Sequence, residues 1–436
     1  MDLRFALAVT ASLGVSWLLW STPAMSQAAE GWFEKQELTL QERRARRQQF
    51  SDAFTAKLGP DYQTNIPFVS QQAIDGLGQA IARYRNIAAS GGWRPFSGNN
   101  TIQLNDRGRH VEELRRHLVL TGDVRARARR PRSFGAALQE GVARYQLRHG
   151  LGVTGFVDSR TRRALNVSAA ERLRQLETNL LRLKDLMKIN KAARYVLVNV
   201  PAYTLQAVAG GTLALQSKVI VGKPDRQTPP LSARIIELNF FPYWRVPDSI
   251  ASKDLIPQIR KDPDYFFKEN FSVLPAWGAK PIAPDKIDWM SPDIFNRKFR
   301  QDPGANNALG VVRINMPNKH TVYLHDTPLK KLFHRNARPF SSGCVRVQRV
   351  LDLAGWLLED KKGWTQMRVN VTVALAQSKT VKLNKPVPVH FVYVTAWATN
   401  NDIVHFRPDI YDQDATSLQV AAAGQEPVPG AGAISP

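Results

Sequence analysis

The chain holds one cysteine, Cys344, in 436 residues. A single thiol makes no intramolecular disulfide. Histidine is also scarce, with 8 residues and no close pair. No Cys/His cluster therefore has metal-ligand spacing, and neither a metal nor another cofactor is expected. Acidic residues are outnumbered, 37 against 60 Lys and Arg, for a formal net charge of +23. That excess calls for an anionic partner, whether nucleic acid, a membrane surface or an acidic wall polymer. Hydrophobic residues make up 43% and charged residues 22%, which excludes a disordered chain. The length suits two or three domains.

The N-terminus chooses among these partners. Met1 to Arg4 carries a positive charge, and Phe5 to Trp20 is an apolar run. The run falls short of the ~20 residues a spanning helix wants. Ser21 to Ala28 breaks it with small residues, and Ser26-x-Ala28 fits a cleavage site. Residues 1–28 therefore read as a secretory signal peptide, with membrane contact only through this segment if it stays uncleaved. No cysteine lies near it, which excludes a lipoprotein anchor. An exported protein does not meet the genome, so nucleic acid drops out as a partner. A spare thiol in an oxidising compartment risks intermolecular pairing and needs a reason to exist.

Residues 29–100 read as a polar helical scaffold, ended by the Gly/Pro/Asn loop Gly91 to Asn100. Residues 101–167 read as a small three-helix unit with an Arg-rich loop at Arg125 to Arg132. Ser168-Ala-Ala-Glu171 is a capping box. Leu173, Leu176, Leu180, Leu183 and Met187 follow as one apolar stripe. That helix, 168–190, is expected to pack back on the scaffold.

From Arg194 the period changes to two. Strands are expected at Tyr195 to Pro201, Thr204 to Val208, Leu213 to Val221, Ile235 to Phe241, Val311 to Asn315, Thr321 to Leu324, Arg368 to Val373 and Val387 to Thr395. Residues 191–415 thus form a mostly β domain. Its insert, about 247–301, reads as helices and loops and as a lid. Residues 416–436 are Ala, Gly and Pro with few anchors, and read as a disordered tail.

A lone cysteine is most often a small buried hydrophobe. Its flanks argue otherwise. Cys344 stands in Ser341-Ser-Gly-Cys-Val-Arg346, with His325 upstream in Tyr323-Leu-His-Asp-Thr-Pro328. A thiol, a histidine and a Gly-Cys turn opening a helix are the parts of a cysteine acyl-transfer site. Cys344 is the candidate nucleophile and His325 the general base and acid. The Gly343 and Cys344 N–H groups are candidates for an oxyanion hole. Arg346 and a helix dipole are expected to favour the thiolate. Asp326 points away from His325 along an extended segment, so a backbone carbonyl is the expected orienter of the imidazole. His320 and His334 read as turn and loop residues.

These motifs resemble two families. Tyr145-Gln146, Gly150-Leu151, Gly155, Asp158, Thr161 and Leu165-Asn166 resemble the peptidoglycan-binding domain type 1. His325-Asp-Thr-Pro followed by Ser341-Ser-Gly-Cys-Val-Arg346 resembles the YkuD-type L,D-transpeptidases. The long Gram-negative form is the closer match, through Val221-Gly-Lys, Thr228-Pro229, Pro242-Tyr-Trp244 and Pro408 to Asp414. Ser342 stands where many relatives carry a second histidine, and Phe241 and Arg245 depart from the tryptophan motif.

The resemblance implies a multidomain protein. A YkuD-like β-sandwich catalytic domain with a capping insert joins a small helical wall-binding domain and a helical scaffold. It implies a periplasmic enzyme that acylates Cys344 with the third residue of a tetrapeptide stem, releases D-alanine and forms 3→3 crosslinks. Tyr323, Trp244, Arg346 and Ser342 would bind substrate, and carbapenems would acylate the thiol. Peptidoglycan stems and glycan are the implied partners, with cell-wall synthesis proteins as further ones. An L,D-carboxypeptidase, an enzyme attaching an outer-membrane protein to the wall, and an inactive wall-binding protein remain as alternatives.

Overall fold

The computed structural model describes residues 40–62, 66–125, 129–189, 192–399 and 403–414. The segment read as a signal peptide and the tail 416–436 lie outside the described residues. The chain divides into two compact units, Met1–Gln48 and Gln49–Pro436. Of the first, residues 40–48 are described and begin α1 (Leu40–Tyr62). No helix among the described residues is long and apolar enough to cross a membrane.

Helix α2 (Gln71–Ala89) starts at Ser70, whose side chain accepts the Ala73 N–H. Three helices follow, α3 (Arg109–Leu120), α4 (Ala136–Arg148) and α5 (Ser159–Leu165). They close a small core of Val111, Leu114, Leu118, Leu138, Val142 and Leu165. The motif residues of this unit are used in building it. Gln146 is wholly buried; its Nε2 donates to Thr154, Phe156 and Thr161, and its Oε1 accepts Thr154 N–H and Gly155 N–H. Asp158 caps α5 through Thr161 N–H, and Asn166 accepts Phe96 N–H.

Helix α6 (Ala169–Ile189) opens on the expected capping box. Glu171 N–H donates to Ser168 Oγ at 3.2 Å, and Ser168 N–H returns to Glu171 Oε2 at 2.8 Å. The Leu176 and Leu183 stripe packs with Ile74, Leu77, Ile81 and Tyr84 of α2, as its spacing predicts.

Nine strands then make one sheet: β1 (Arg194–Asn199), β2 (Thr204–Ala209), β3 (Thr212–Gly222), β4 (Leu231–Phe240), β8 (Val312–Asn315), β9 (Leu324–His325), β10 (Pro339–Ser341), β11 (Val345–Val347) and β12 (Lys379–Val392). Their order is β10-β3-β11-β9-β8-β4-β12-β1-β2, and β2 also pairs with β3. The expected sandwich is thus one sheet joined back on itself. Its residues alternate between two apolar environments. Val196 and Val198 of β1 join the interior with Val219, Ile235, Leu238, Ile314, Leu324 and Val345. Tyr195 and Leu197 face α2 and α6 instead. Burial on both faces is why β1 reads as a continuous apolar run.

The insert departs from its helical reading. It contains α7 (Asp248–Ile250), a π turn, α8 (Ile256–Lys261) and α9 (Asp264–Lys268). It also holds a three-stranded sheet of β5 (Trp244–Val246), β7 (Lys298–Gln301) and β6 (Phe271–Leu274). Val246, Val273 and Phe299 give it a core of its own with Ile256 and Ile259. Strands this short leave too few alternating residues to signal themselves.

The strand expected at Arg368 to Val373 is a helix. Helix α10 (Val350–Leu358) is followed by α11 (Gln366–Ala374), whose Thr365 cap accepts Arg368 N–H at 3.3 Å. Only Val369 and Thr372, three apart, are buried, while Val371 is exposed. The cap and a single core-facing stripe override the β-branched alternation. The expected strand from Thr321 shrinks to β9, because Thr321 adopts φ +53° and Asn318 Nδ2 takes the Met316 and Val322 carbonyls. The hairpin β13 (Ala396–Ala398) and β14 (Val404–Phe406) completes the strands among the described residues. It meets the three-helix unit through the buried Arg148–Asp123 pair, where Arg148 also donates to Val404 O.

Candidate active site

Register places the chemistry. Strands β9 and β11 pair in parallel with Val345 opposite Leu324 and Arg346 opposite His325. Val345 N–H donates to Tyr323 O at 3.0 Å, so Cys344 stands beside Tyr323. With a side-chain period of two, Leu324, Val345 and Val347 enter the core. Tyr323, His325, Cys344 and Arg346 share the other face. Strand β8 adds Arg313, which pairs with His325.

The Gly-Cys turn is held by its own neighbours. Ser341 Oγ donates to Cys344 O at 2.5 Å and accepts Gly343 N–H at 3.2 Å. Thr228 Oγ1 donates to Gly343 O at 2.7 Å and accepts Gly222 N–H at 2.9 Å. Tyr411 hydroxyl donates to Gly222 O at 2.6 Å. A Cβ on Gly222 would stand 2.1 Å from Arg226 O, so glycine is required where this loop crosses. Gly343 has φ +115°. Gly343→Ala is expected to cost about 1–2 kcal/mol through that backbone strain. Its melting temperature should fall by several degrees, and acylation of Cys344 should slow as the turn shifts; a thermal melt and an acylation time course check both.

Two expectations are corrected here. Cys344 opens a strand, not a helix: β11 intervenes, and α10 begins only at Val350. No helix dipole therefore reaches the sulfur. The thiol is also not activated at rest. Burial pushes its pKa up, against the lowering effects of the Tyr323 N–H and hydroxyl, Arg313 and Arg346. Of the two candidate oxyanion donors, the Gly343 N–H is engaged by Ser341.

His325 is buried and stays neutral. Desolvation lowers its pKa to about 3, helped by Arg346 and opposed by the Asp326 backbone. Its Nδ1 is buried with no hydrogen-bond partner. Asp326 does point away, accepting Val311 N–H at 3.0 Å and pairing with Lys330. The His325 and Tyr323 rings meet edge-on at 5.6 Å. Burial, then the neighbouring Cys344, pushes the pKa of the Tyr323 hydroxyl up. The insert approaches Tyr323 through Trp244, which lines a cavity with it. The insert is fastened by Arg226, which pairs with Asp254 at 3.0 Å and donates to Ser342 Oγ at 3.1 Å.

Of the residues singled out from sequence, register puts Cys344, His325, Tyr323 and Arg346 on one face, Gly343 lies in the turn, Ser342 meets Arg226, and Trp244 lines a cavity with Tyr323. Sequence reasoning missed Arg313, Arg226 and the bracing role of Thr228 and Tyr411. Arg313 carries a signal in hindsight, as the lone charge alternating with Val312 and Ile314.

The closed sheet presents a thiol and an imidazole on one face, beside the capping insert. Residues 193–383 match the family model described as "L,D-transpeptidase catalytic domain" (YkuD). Residues 107–165 match "Putative peptidoglycan binding domain". By these matches the chain is similar to a YkuD L,D-transpeptidase catalytic domain preceded by a peptidoglycan-binding domain. A Haemophilus influenzae protein named "Putative L,D-transpeptidase" is 40% identical over 220 residues, which are 50% of this chain and 44% of that protein. The chain therefore spans less than half of that relative's length. Solved structures overlap only loosely. An L,D-transpeptidase from Mycobacterium smegmatis has 13% identity and TM-score 0.23 over 46% of this chain and 59% of its own. One from Xylanimonas cellulosilytica has 13% identity and TM-score 0.21 over 69% of this chain and 100% of its own.

Proposed function

We propose that this protein is an exported, periplasmic peptidoglycan L,D-transpeptidase that forms 3→3 crosslinks through a thioester on Cys344. The observation that carries this reading is the shared face of β9 and β11, with Cys344 and a neutral His325 two positions apart in register. His325 takes the thiol proton as the sulfur attacks the carbonyl of the third stem residue. The Cys344 N–H stabilises the developing oxyanion, joined by Gly343 N–H once it leaves Ser341. The C–N bond to D-alanine breaks, and His325 returns the proton to the departing amine. The side-chain amine of a second stem then attacks the thioester, giving its proton to His325 and from there to the freed sulfur. Tyr323 and Trp244 position the donor beneath the cap, and water is excluded there, which favours the amine over hydrolysis. The helical domain holds the enzyme on its polymer.

The test is product analysis. Purified tetrapeptide muropeptides are incubated with the protein and read by mass spectrometry. Dimers that disappear in Cys344→Ala support the reading. Tripeptide alone would make the protein an L,D-carboxypeptidase, and a dimer made only with a protein N-terminus would make it a protein-attachment enzyme. No conversion would overturn the enzyme reading. A carbapenem such as meropenem should add stoichiometrically to Cys344, and an unmodified protein would contradict the choice of nucleophile.

A further inference from the structure

A cavity of about 460 Å³ opens beside Tyr323 and Trp244. Its floor is the sheet, through Arg313 and Asn315, and the turn at Asn318; its wall is the insert, through Trp244, Arg245 and Trp277. The size falls within the range of small-ligand sites.

The charges in this cavity do not balance. Arg313 donates through Nη2 to Asn315 Oδ1 at 3.0 Å, and its Cζ stacks on the Tyr323 ring at 4.8 Å. Its Nε is buried with no hydrogen-bond partner. Arg245 stacks on Trp277 at 5.3 Å. Neither guanidinium is in an ion pair among the described residues, although seventeen such pairs form elsewhere. The one carboxylate on the wall, Asp248, is held by Lys298 at 2.9 and 2.8 Å. A buried donor on a cationic group without an acceptor is costly and needs explaining. A planar guanidinium with a free N–H edge matches a carboxylate, and the flanking Trp and Tyr rings suit a peptide chain.

We infer that this cavity is a carboxylate-recognition subsite, in which Arg313, with Arg245 at the rim, binds a free carboxylate of the stem peptide and so sets its register at Cys344. The inference rests on the proposed stem-peptide substrate. Two carboxylates flanking the scissile bond offer the same chemistry, the one on the third residue's side-chain centre and the one at the peptide's C-terminus. Tyr323 lines the cavity and stands beside Cys344 in register, so a peptide anchored on Arg313 passes the thiol.

The test measures equilibrium binding by calorimetry, using the full chain with Cys344→Ala so that nothing turns over. The probes are a stem tetrapeptide with all carboxylates free, the same peptide amidated at the third residue's side-chain centre, and the same peptide amidated at the C-terminus. One amide should bind about tenfold or more weaker than the free acid, which identifies the source. Arg313→Gln should abolish that difference, and Arg313→Lys should retain part of it. Melting temperatures accompany each variant. If Arg313→Gln does not fold, Arg313→Lys and Arg245→Gln carry the test through a reduced preference. Equal binding of all three peptides, a preference that survives in these variants, or no binding at all overturns the inference. Arg313-dependent binding with no product in the muropeptide assay would instead overturn transpeptidation and leave this subsite standing.

Discussion

Exchanging His325 for alanine is expected to slow acylation of Cys344 by roughly 100- to 10,000-fold without lowering thermal stability. The thiol pKa is raised by burial, so little thiolate exists at neutral pH and attack needs a base at hand. His325 is suited to that task because it is neutral down to about pH 3. Stability should hold because the imidazole buries an unpartnered Nδ1, whose removal relieves a desolvation cost. The same pKa sets the pH profile. Protonation removes the base only as pH falls toward about 3, so wild-type acylation by a carbapenem should be nearly flat from pH 7 to 5 and fall below that. A limb centred near pH 6.5 would mean an imidazole of ordinary basicity and would contradict the geometry. Cys344→Ala should abolish acylation at every pH.

Acidification should also unfold the protein well before its carboxylates protonate. Desolvation, then Arg148 and Arg172, lower the His117 pKa to about 3. The same three influences hold His149 well below 6.5. With His325 and His405, four buried imidazoles are held neutral in the fold. In the unfolded chain each takes up a proton below about pH 6.5. Their contribution is therefore complete above that pH and is lost as pH falls toward the folded values. The loss is about 1.4 kcal/mol per histidine per pH unit, or roughly 2 kcal/mol each at pH 5. Four such groups together approach the whole stability of an ordinary domain. His117 offers the control. Its ring lies against Trp93 at 4.3 Å, and both its nitrogens are buried without partners. His117→Phe should raise the melting temperature by several degrees at pH 5 and by much less at pH 7.5. An equal shift at both values would show that packing, not protonation, is responsible.

The site was legible where chemistry and local pattern coincide. Cys344 and His325 could be paired because a lone thiol, a glycine turn and a histidine at a strand end each narrow the choice. Their meeting depends on β9 and β11 lying side by side, which short strands of three and two residues do not announce. The capping box at Ser168 and the stripe on α6 were readable because both are local. Burial was not. The expected activation of the thiol failed because a sequence shows the nearby arginines but not the desolvation that outweighs them. Arg313 escaped notice for the complementary reason: it lies twelve residues from His325 in the chain and reaches it only through the β8–β9 pairing. At Arg368 to Val373 the alternation misled, since a capped helix needs only Val369 and Thr372 to face the core.

The most direct measurement of the central claim is the mass of the intact chain, quenched in acid after mixing with a stem tetrapeptide. The account predicts a gain equal to the tripeptide acyl group, located on the peptide that contains Cys344. The gain should be absent in Cys344→Ala and discharged by an added stem amine to give the crosslinked dimer. D-alanine released with no adduct, and at the same rate in Cys344→Ala, would contradict it.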